Sequence, residues 1–540
     1  MKEADYIVVG AGSAGAVVAS RLAEHGAEVI LLEAGRADDT RLVSSPGLIT
    51  MVHTIPPLKS RVCWKQYSVP QSHANGRRIP MTRGKVLGGS SSVNGMLFVR
   101  GNRANFDSWA EAGNKGWSYA DVLPAYRRLE NWEGGADEYR GTGGPIEVTR
   151  QRELTPITEE FMVAASETLG APIIEDYNGE SQEGVSVFQQ SVRNGLRYSS
   201  SRGYLTDRPN PRLRVLTHSH ATRVVIENGR AVGVEIAGRS GEREILRAGK
   251  EVVVSCGVIG SPQLLMLSGI GPAPHLGDLG IAVHADLPVG QNLHDHVFVP
   301  MTFVSKKAVH RGIPTYFAKA LAREFRRPGS SWMGRTVFEA VGFVKTRFAQ
   351  GAHPDLQIHS LPWSYPTPNQ DADKMYLVER RPALTVMPSL IYPESRGEVR
   401  LASADPFAAP LIDPGYLSDP RDIDFLVEGM RTVREIMAHS AIAGDIDEEY
   451  SPGPSFPDAA GLRRALPDRA HSIYHPVGSC RMGVDERAVV DPTLKVRGIE
   501  GLRVADASIM PSITGGNTNA PALMIGEKCA ELLIEEGACA

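Results

Sequence analysis

Tyr6-Ile7-Val8-Val9-Gly10-Ala11-Gly12-Ser13-Ala14-Gly15 decides the fold. The four apolar residues predict a short buried strand, and the glycine-rich run after them predicts a tight turn. Ala16 to His25 then reads as a helix stopped at Gly26, and Val29-Ile30-Leu31-Leu32 as the next strand, ending on Glu33 and Ala34. Gly10, Gly12 and Gly15 fit the Gly-x-Gly-x-x-Gly spacing. The first glycine permits the turn, the second lets backbone approach a pyrophosphate, and the third lets helix pack on strand. The helix start at Ser13 and Ala14 offers free N–H groups and a partial positive charge to phosphate. Glu33, eighteen residues past Gly15, puts a carboxylate where it accepts protons from ribose hydroxyls. The unit predicts a bound dinucleotide and leaves FAD and NAD both open.

Outward from this unit, 540 residues are too many for one core, so at least two domains are expected. The formal charge of −4 gives no footprint for nucleic acid or for an anionic membrane. Cys63, Cys256, Cys480, Cys529 and Cys539 are scattered and form no Cys-x-x-Cys, which predicts reduced thiols in a cytoplasmic enzyme. No signal peptide is expected before the first strand, and no apolar run is long enough for a transmembrane segment. Residues 36–80, with Pro46, Pro56, Pro57 and Pro70, read as a loop that either covers a cofactor or is a plain surface excursion. Strands are expected at Leu213 to Leu216, Arg223 to Ile226 and Glu251 to Val254. The alternation in Asp355-Leu356-Gln357-Ile358-His359 points to a second sheet.

Two further segments narrow the cofactor. Gly84-Lys85-Val86-Leu87-Gly88-Gly89-Ser90-Ser91-Ser92-Val93-Asn94-Gly95 lets backbone approach a flat polar ring and bond its edge. Ser255-Cys256-Gly257-Val258-Ile259-Gly260-Ser261-Pro262 opens a helix. With the N-terminal unit, these resemble the signatures of the glucose–methanol–choline (GMC) oxidoreductase family. The likeness continues through Gln291-Asn292-Leu293-His294-Asp295-His296, Tyr474-His475-Pro476-Val477-Gly478, Val504-Ala505-Asp506-Ala507-Ser508 and Gly516-Asn517-Thr518-Asn519-Ala520-Pro521. It covers essentially the whole chain, and the choline-dehydrogenase-like and alcohol dehydrogenase branch is the most similar.

The resemblance implies an α/β fold: a Rossmann-like FAD-binding domain and a substrate-binding domain with a mostly antiparallel sheet and helices. The first is expected from 1–150, 195–300 and 466–540, the second from 151–194 and 301–465. It also implies FAD without a metal. Beside Gly10 to Gly15, Glu33 and Ala34, it sets Trp64, Val86, Gly88, Ser91, Asn94, Gly95, Met96 and Val224 against the cofactor. Ser255, Gly257, Tyr474, Asp506, Ala507, Asn519 and Ala520 complete that set. Relatives that tether the flavin do so through a histidine whose place is taken here by Val93, so FAD is expected to be non-covalent.

Alcohol oxidation needs the hydroxyl proton removed as a hydride leaves for flavin N5, and a neutral imidazole suits that proton. His475 matches the family's base, and Asn519, 44 residues on, is taken as its partner. An amide there bonds the developing alkoxide, and Asn519 before Ala-Pro also reads as a helix cap. Ile473 and Tyr474 are expected to flank the ring. His471 with His475, and His294-Asp295-His296, have little of the pattern of a metal site. Lys306 to Arg327 reads as an amphipathic helix, more a solvated face of the substrate domain than a membrane contact.

The expected function is oxidation of a primary alcohol to an aldehyde. The acceptor is oxygen, a quinone or another carrier. The alternatives are a GMC-type hydroxynitrile lyase or an oxidase of aldehyde hydrates. A cytoplasmic place is expected, with attachment to the inner membrane as the alternative.

Overall fold

The turn at Gly10 joins the central strand of a seven-stranded sheet to its first helix in the computed structural model, which describes residues 3–238, 240–308, 314–365 and 381–539. The strands are β1 (Glu3–Val9), β2 (Val29–Leu32), β3 (Leu213–Leu216), β4 (His220–Glu227), β5 (Arg230–Ala237), β6 (Arg243–Val254) and β7 (Leu502–Val504). Their order is β4-β5-β6-β1-β2-β3, with β7 also on β6. Four pairings, β1 with β2, β1 with β6, β2 with β3 and β6 with β7, are parallel. β6 changes role along its length. Arg243–Arg247 pairs antiparallel with β5, and Glu251–Val254 continues parallel to β1. Ile7, Val8 and Ile30 to Leu32 are buried, the unbroken apolar runs that a sheet covered on both faces requires.

Helix α1 (Ser13–Glu24) follows the turn, α2 (Gly257–Leu267) follows β6, and α3 (Asn519–Cys539) closes the chain against α1. That last contact needs a glycine: a Cβ at Gly526 would stand 2.7 Å from the carbonyl of Ala14.

The second sheet has eight strands and is antiparallel throughout. Six lie in the order Ile446–Ser451, Met301–Ser305, Ala383–Leu390, Leu356–Leu361, Ala340–Val344, Gly184–Val187, while Val297–Phe298 and His471–Ser472 extend it. Its faces follow the period-two rule. Leu356, Ile358, Leu384 and Val386 point into a core with Leu426, Met430 and Val433 of the helix Pro420–Met437 and Phe161 of Pro156–Leu169. Each such fully buried aliphatic side chain contributes about 1.5–3 kcal/mol. The alternate residues Gln357, His359, Leu361 and Met387 lie on the opposite face. The expected α/β architecture is therefore present, with its second, antiparallel sheet.

Residues 36–80 differ from the irregular loop expected. They hold the short helices Arg41–Ser44, Ile49–Thr54 and Pro56–Val62 and a turn at Pro46–Leu48. Pro46 and Pro56 open their segments, the place where a missing N–H costs nothing. The basic stretch forms the helix Pro314–Arg326, while 309–313 lie outside the described residues. Phe317 and Leu321 pack on Trp332 and Trp363, and Phe325 faces outward. Among the described residues no helix is long and apolar enough to cross a membrane.

Candidate active site

A cavity of about 440 Å³ runs from the Gly10 turn to the polar face of the second sheet. At the turn end, Gly10 has φ +99°, and a Cβ there would meet the Ser255 carbonyl at 2.5 Å. A Cβ on Gly15 would stand 1.9 Å from the Gly10 carbonyl, which is how closely α1 sits on the turn. Gly12 and Gly257 differ: a Cβ on either meets no protein atom within 4 Å. Both border the cavity, and the first-turn amides of α1 have no helical acceptor.

Glu33 accepts from Ala11 N (3.3 Å) with Oε2 and from Gly35 N (2.7 Å) with Oε1. Each oxygen keeps a lone pair for a further donor. Burial pushes this carboxyl up to about 7, against the pull of the two amides and Lys85. The hydroxyl donors of a ribose diol would satisfy those lone pairs and favour the charged carboxylate. The glycine cradle, the amides and Glu33 thus fit the dinucleotide part of FAD.

Of the expected cofactor residues, Gly10, Gly12, Ser13, Ala14, Glu33, Ala34, Trp64, Asn94, Gly95, Met96, Ser255, Gly257, Tyr474, Asp506, Ala507 and Asn519 border the cavity. Gly15, Val86, Gly88, Ser91, Val224 and Ala520 stand behind its wall. Gly88 donates its N–H to Ala11 O (2.8 Å), and Ser91 Oγ donates to Gly88 O (2.6 Å), so these shape the turn from outside. Val86 packs with Val43 and Ile49, and Ala520 is buried in α3. Val224 sits midway along β4 with its amide spent on Ser268 Oγ (2.8 Å), and Ser219, His220 and Ala221 form that wall instead. The segment 36–80 covers one side through Ile49, Thr50, His53, Trp64 and Gln66.

At the opposite end stands His475. Its backbone N–H donates to Asp295 Oδ1 (2.9 Å), while Asp295 Oδ2 accepts from Tyr416 Oη and Ser472 Oγ, each at 2.5 Å. Its ring lies in a hydrogen-bonded line whose directions follow from chemistry. His296 Nε2 is 3.0 Å from the Ile391 carbonyl, which only accepts, so Nε2 carries the proton. Burial pushes the His296 imidazole down to about 3 and keeps it neutral, so its Nδ1 is an acceptor. His475 Nδ1, 3.1 Å away, must donate to it. That leaves the lone pair of His475 on Nε2, which faces the Asn517 amide nitrogen at 3.1 Å. Asn517 Oδ1 in turn accepts from Gln357 Nε2 (3.2 Å). Burial holds His475 well below the ordinary imidazole value, and His296, His359 and Arg83 add to this. Nε2 is therefore the ring nitrogen without a proton.

Here the structure corrects the expected pair. The carboxamide at His475 belongs to Asn517, not Asn519. Asn519 is the first residue of α3, and its Oδ1 accepts from Ser13 Oγ (2.8 Å), tying that helix to the start of α1. Gly516, with φ +145°, aims Asn517 inward: a Cβ there would meet Val99 Cγ1 at 2.5 Å. Two asparagines two residues apart gave the sequence no means to choose. His296 lies in a stretch whose sequence only argues against a metal site, and its fixed distance from His475 exists only in the fold. Ile473 and Tyr474 border the cavity, and Arg83 Nη1 holds the Tyr474 carbonyl (2.9 Å).

The GMC oxidoreductase family description matches residues 4–298 with its N-terminal part and 393–526 with its C-terminal part. The oxygen-dependent choline dehydrogenase of Sinorhizobium medicae is 41% identical, covering 98% of this chain and 96% of its own length. An alcohol dehydrogenase [acceptor] from Pseudomonas putida is 38% identical over the same shares. A mutant formate oxidase of Aspergillus oryzae RIB40, studied for FAD modification, superposes with TM-score 0.90 at 29% identity, covering 99% of both chains. Pyridoxine 4-oxidase from Mesorbium loti gives 0.87 at 28% identity, covering 98% of each. With the cradle and the histidine line described above, these likenesses lead to one conclusion: the chain belongs to the GMC oxidoreductase family, an FAD-dependent enzyme acting on CH–OH groups.

Proposed function

We propose that this enzyme oxidises a primary alcohol to an aldehyde, with His475 Nε2 taking the hydroxyl proton. The observation that carries the reading is the directed line Asn517–His475–His296–Ile391 O, which leaves one unprotonated nitrogen at the cavity. Bound FAD supplies the hydride acceptor. A substrate hydroxyl that displaces the direct contact between His475 Nε2 and Asn517 Nδ2 donates to the first and accepts from the second. The negative charge that grows on oxygen then meets a fixed N–H dipole, whose worth is about 10²–10³ in rate. Gln357 keeps the amide turned so that nitrogen, not oxygen, faces the imidazole. Asp295 anchors the His475 backbone.

The Gly10 turn, Glu33, Asp506 and the cavity-bordering residues named above are the proposed cofactor site, on a domain built from 1–150, 195–300 and 466–540. The proposed substrate domain is 151–194 with 301–465. Val93 has no nucleophilic atom, which supports non-covalent FAD. Oxygen is the proposed electron acceptor, as in the names of the choline dehydrogenase relatives, with a quinone as the alternative; the cytoplasm is the proposed place of action.

The test is anaerobic mixing of the yellow holoenzyme with a primary alcohol. Flavin bleaching with one equivalent of aldehyde is expected, and His475→Ala slows it about 10²–10⁴-fold. Bleaching at the wild-type rate in that variant would reject the assignment, as would an unbleached enzyme that releases aldehyde from cyanohydrins.

A further inference from the structure

The wall of the cavity beyond His475 is apolar. Phe298, Leu361, Trp363 and Met387 border it with exposures of 2, 4, 8 and 1%, and Val337 and Phe338 continue it. Phe298 meets Tyr365 edge to face at 5.7 Å, and Trp363 meets Trp332 behind it at 5.6 Å. Aromatic faces alone suit either a hydrocarbon or a cation. The charges decide between them.

Among the described residues that border the cavity, the only carboxylates are Glu33 and Asp506. Glu33 lies at the Gly10 turn, bonded to Ala11 and Gly35. Asp506 accepts from Gly257 N and Ser261 Oγ with one oxygen and from Ser508 N with the other. Two more carboxylates come near and turn away. Asp295 faces Tyr416, Ser472 and the His475 backbone, and Glu339, next to Phe338, binds Thr155 and Thr158. The charge that does border the cavity beside Tyr474 is a cation, Arg83.

We infer that the substrate is an uncharged alcohol whose carbinol carries an apolar body, aryl or branched alkyl, and that a quaternary ammonium alcohol such as choline is disfavoured. The inference rests on the alcohol oxidation proposed above and names its substrate class. Moving an ammonium out of water into this pocket gives it no free carboxylate among the described residues that border the cavity, a cost that ring faces do not offset. A hydrocarbon body of the same shape incurs no such cost.

The experiment compares choline with 3,3-dimethylbutan-1-ol, its uncharged carbon isostere, in steady-state turnover of the holoenzyme. The expected kcat/KM favours the isostere by about 100-fold or more, since the two differ only in desolvating a charge. A second arm uses ligands that cannot be oxidised: 2-phenylpropan-2-ol and phenyltrimethylammonium. Only the alcohol is expected to shift the bound flavin's visible spectrum with saturation. Equal or better turnover of choline, or equal saturation by the ammonium, overturns the substrate class while leaving alcohol oxidation standing. Failure of both alcohols, and of benzyl alcohol, to reduce the flavin overturns the underlying reading and this inference with it.

Discussion

His475 owes its basic nitrogen to its neighbours more than to its own chemistry. A free imidazole carries its proton on either ring nitrogen; here the Ile391 carbonyl fixes the His296 tautomer and His296 fixes that of His475. Burial adds a second effect by disfavouring the imidazolium, so the ring waits neutral. The carboxamide that completes the site is Asn517, and the reason is local. The bend at Gly516, with φ +145°, sends residue 517 inward. Asn519, already in α3, reaches Ser13 instead. Asn517 is therefore the carboxamide of the proposed reaction, and Asn519 ties the start of α3 to the start of α1.

At the scale of elements, the second and third glycines of the turn have different jobs and different failures. Gly15→Ala drives a methyl against a backbone carbonyl at 1.9 Å, so α1 must shift on β1. Gly12→Val meets no protein atom and instead fills space that the pyrophosphate needs. The expected outcomes separate: Gly15→Ala lowers the melting temperature of the cofactor-free protein, whereas Gly12→Val leaves it near wild type and loses FAD from the purified protein. Equal melting temperatures and equal FAD content for both would contradict this. These elements were legible because strand, turn, helix and Glu33 are contiguous and each choice is local. The Leu356–Leu361 strand was legible in outline from its alternation. Its register was not, and register is what brings Gln357 to Asn517. The helices in 36–80 were missed because prolines mark both loops and first helical turns.

In the whole molecule, the cavity lies between two sheets built from distant parts of the chain, and its lining and the layer behind it are rich in buried histidine. Burial pushes His53 and His471 down to about 4 and His294, His296 and His359 down to about 3, and His475 also lies well below normal. An unfolded chain protonates all six first as pH falls below about 6.5. The stability they contribute is present above that pH and lost below it, at about 1.4 kcal/mol per pH unit for each proton. Glu33, Asp38, Asp295, Asp422 and Asp506, whose carboxyls burial raises, act in the opposite sense but are fewer. The melting temperature of the holoenzyme is therefore expected to fall between pH 7 and 5; a constant or rising value would contradict the burial described.

The pairing of His475 with Asn517 is tested most directly by the anaerobic rate of flavin reduction in Asn517→Ala and Asn519→Ala, both loaded with FAD and saturated with the same neutral alcohol. A loss of about 10²–10³-fold is expected for Asn517→Ala, the worth of one fixed donor to a developing oxyanion, with Asn519→Ala within a few-fold of wild type. The reverse ranking would contradict the account.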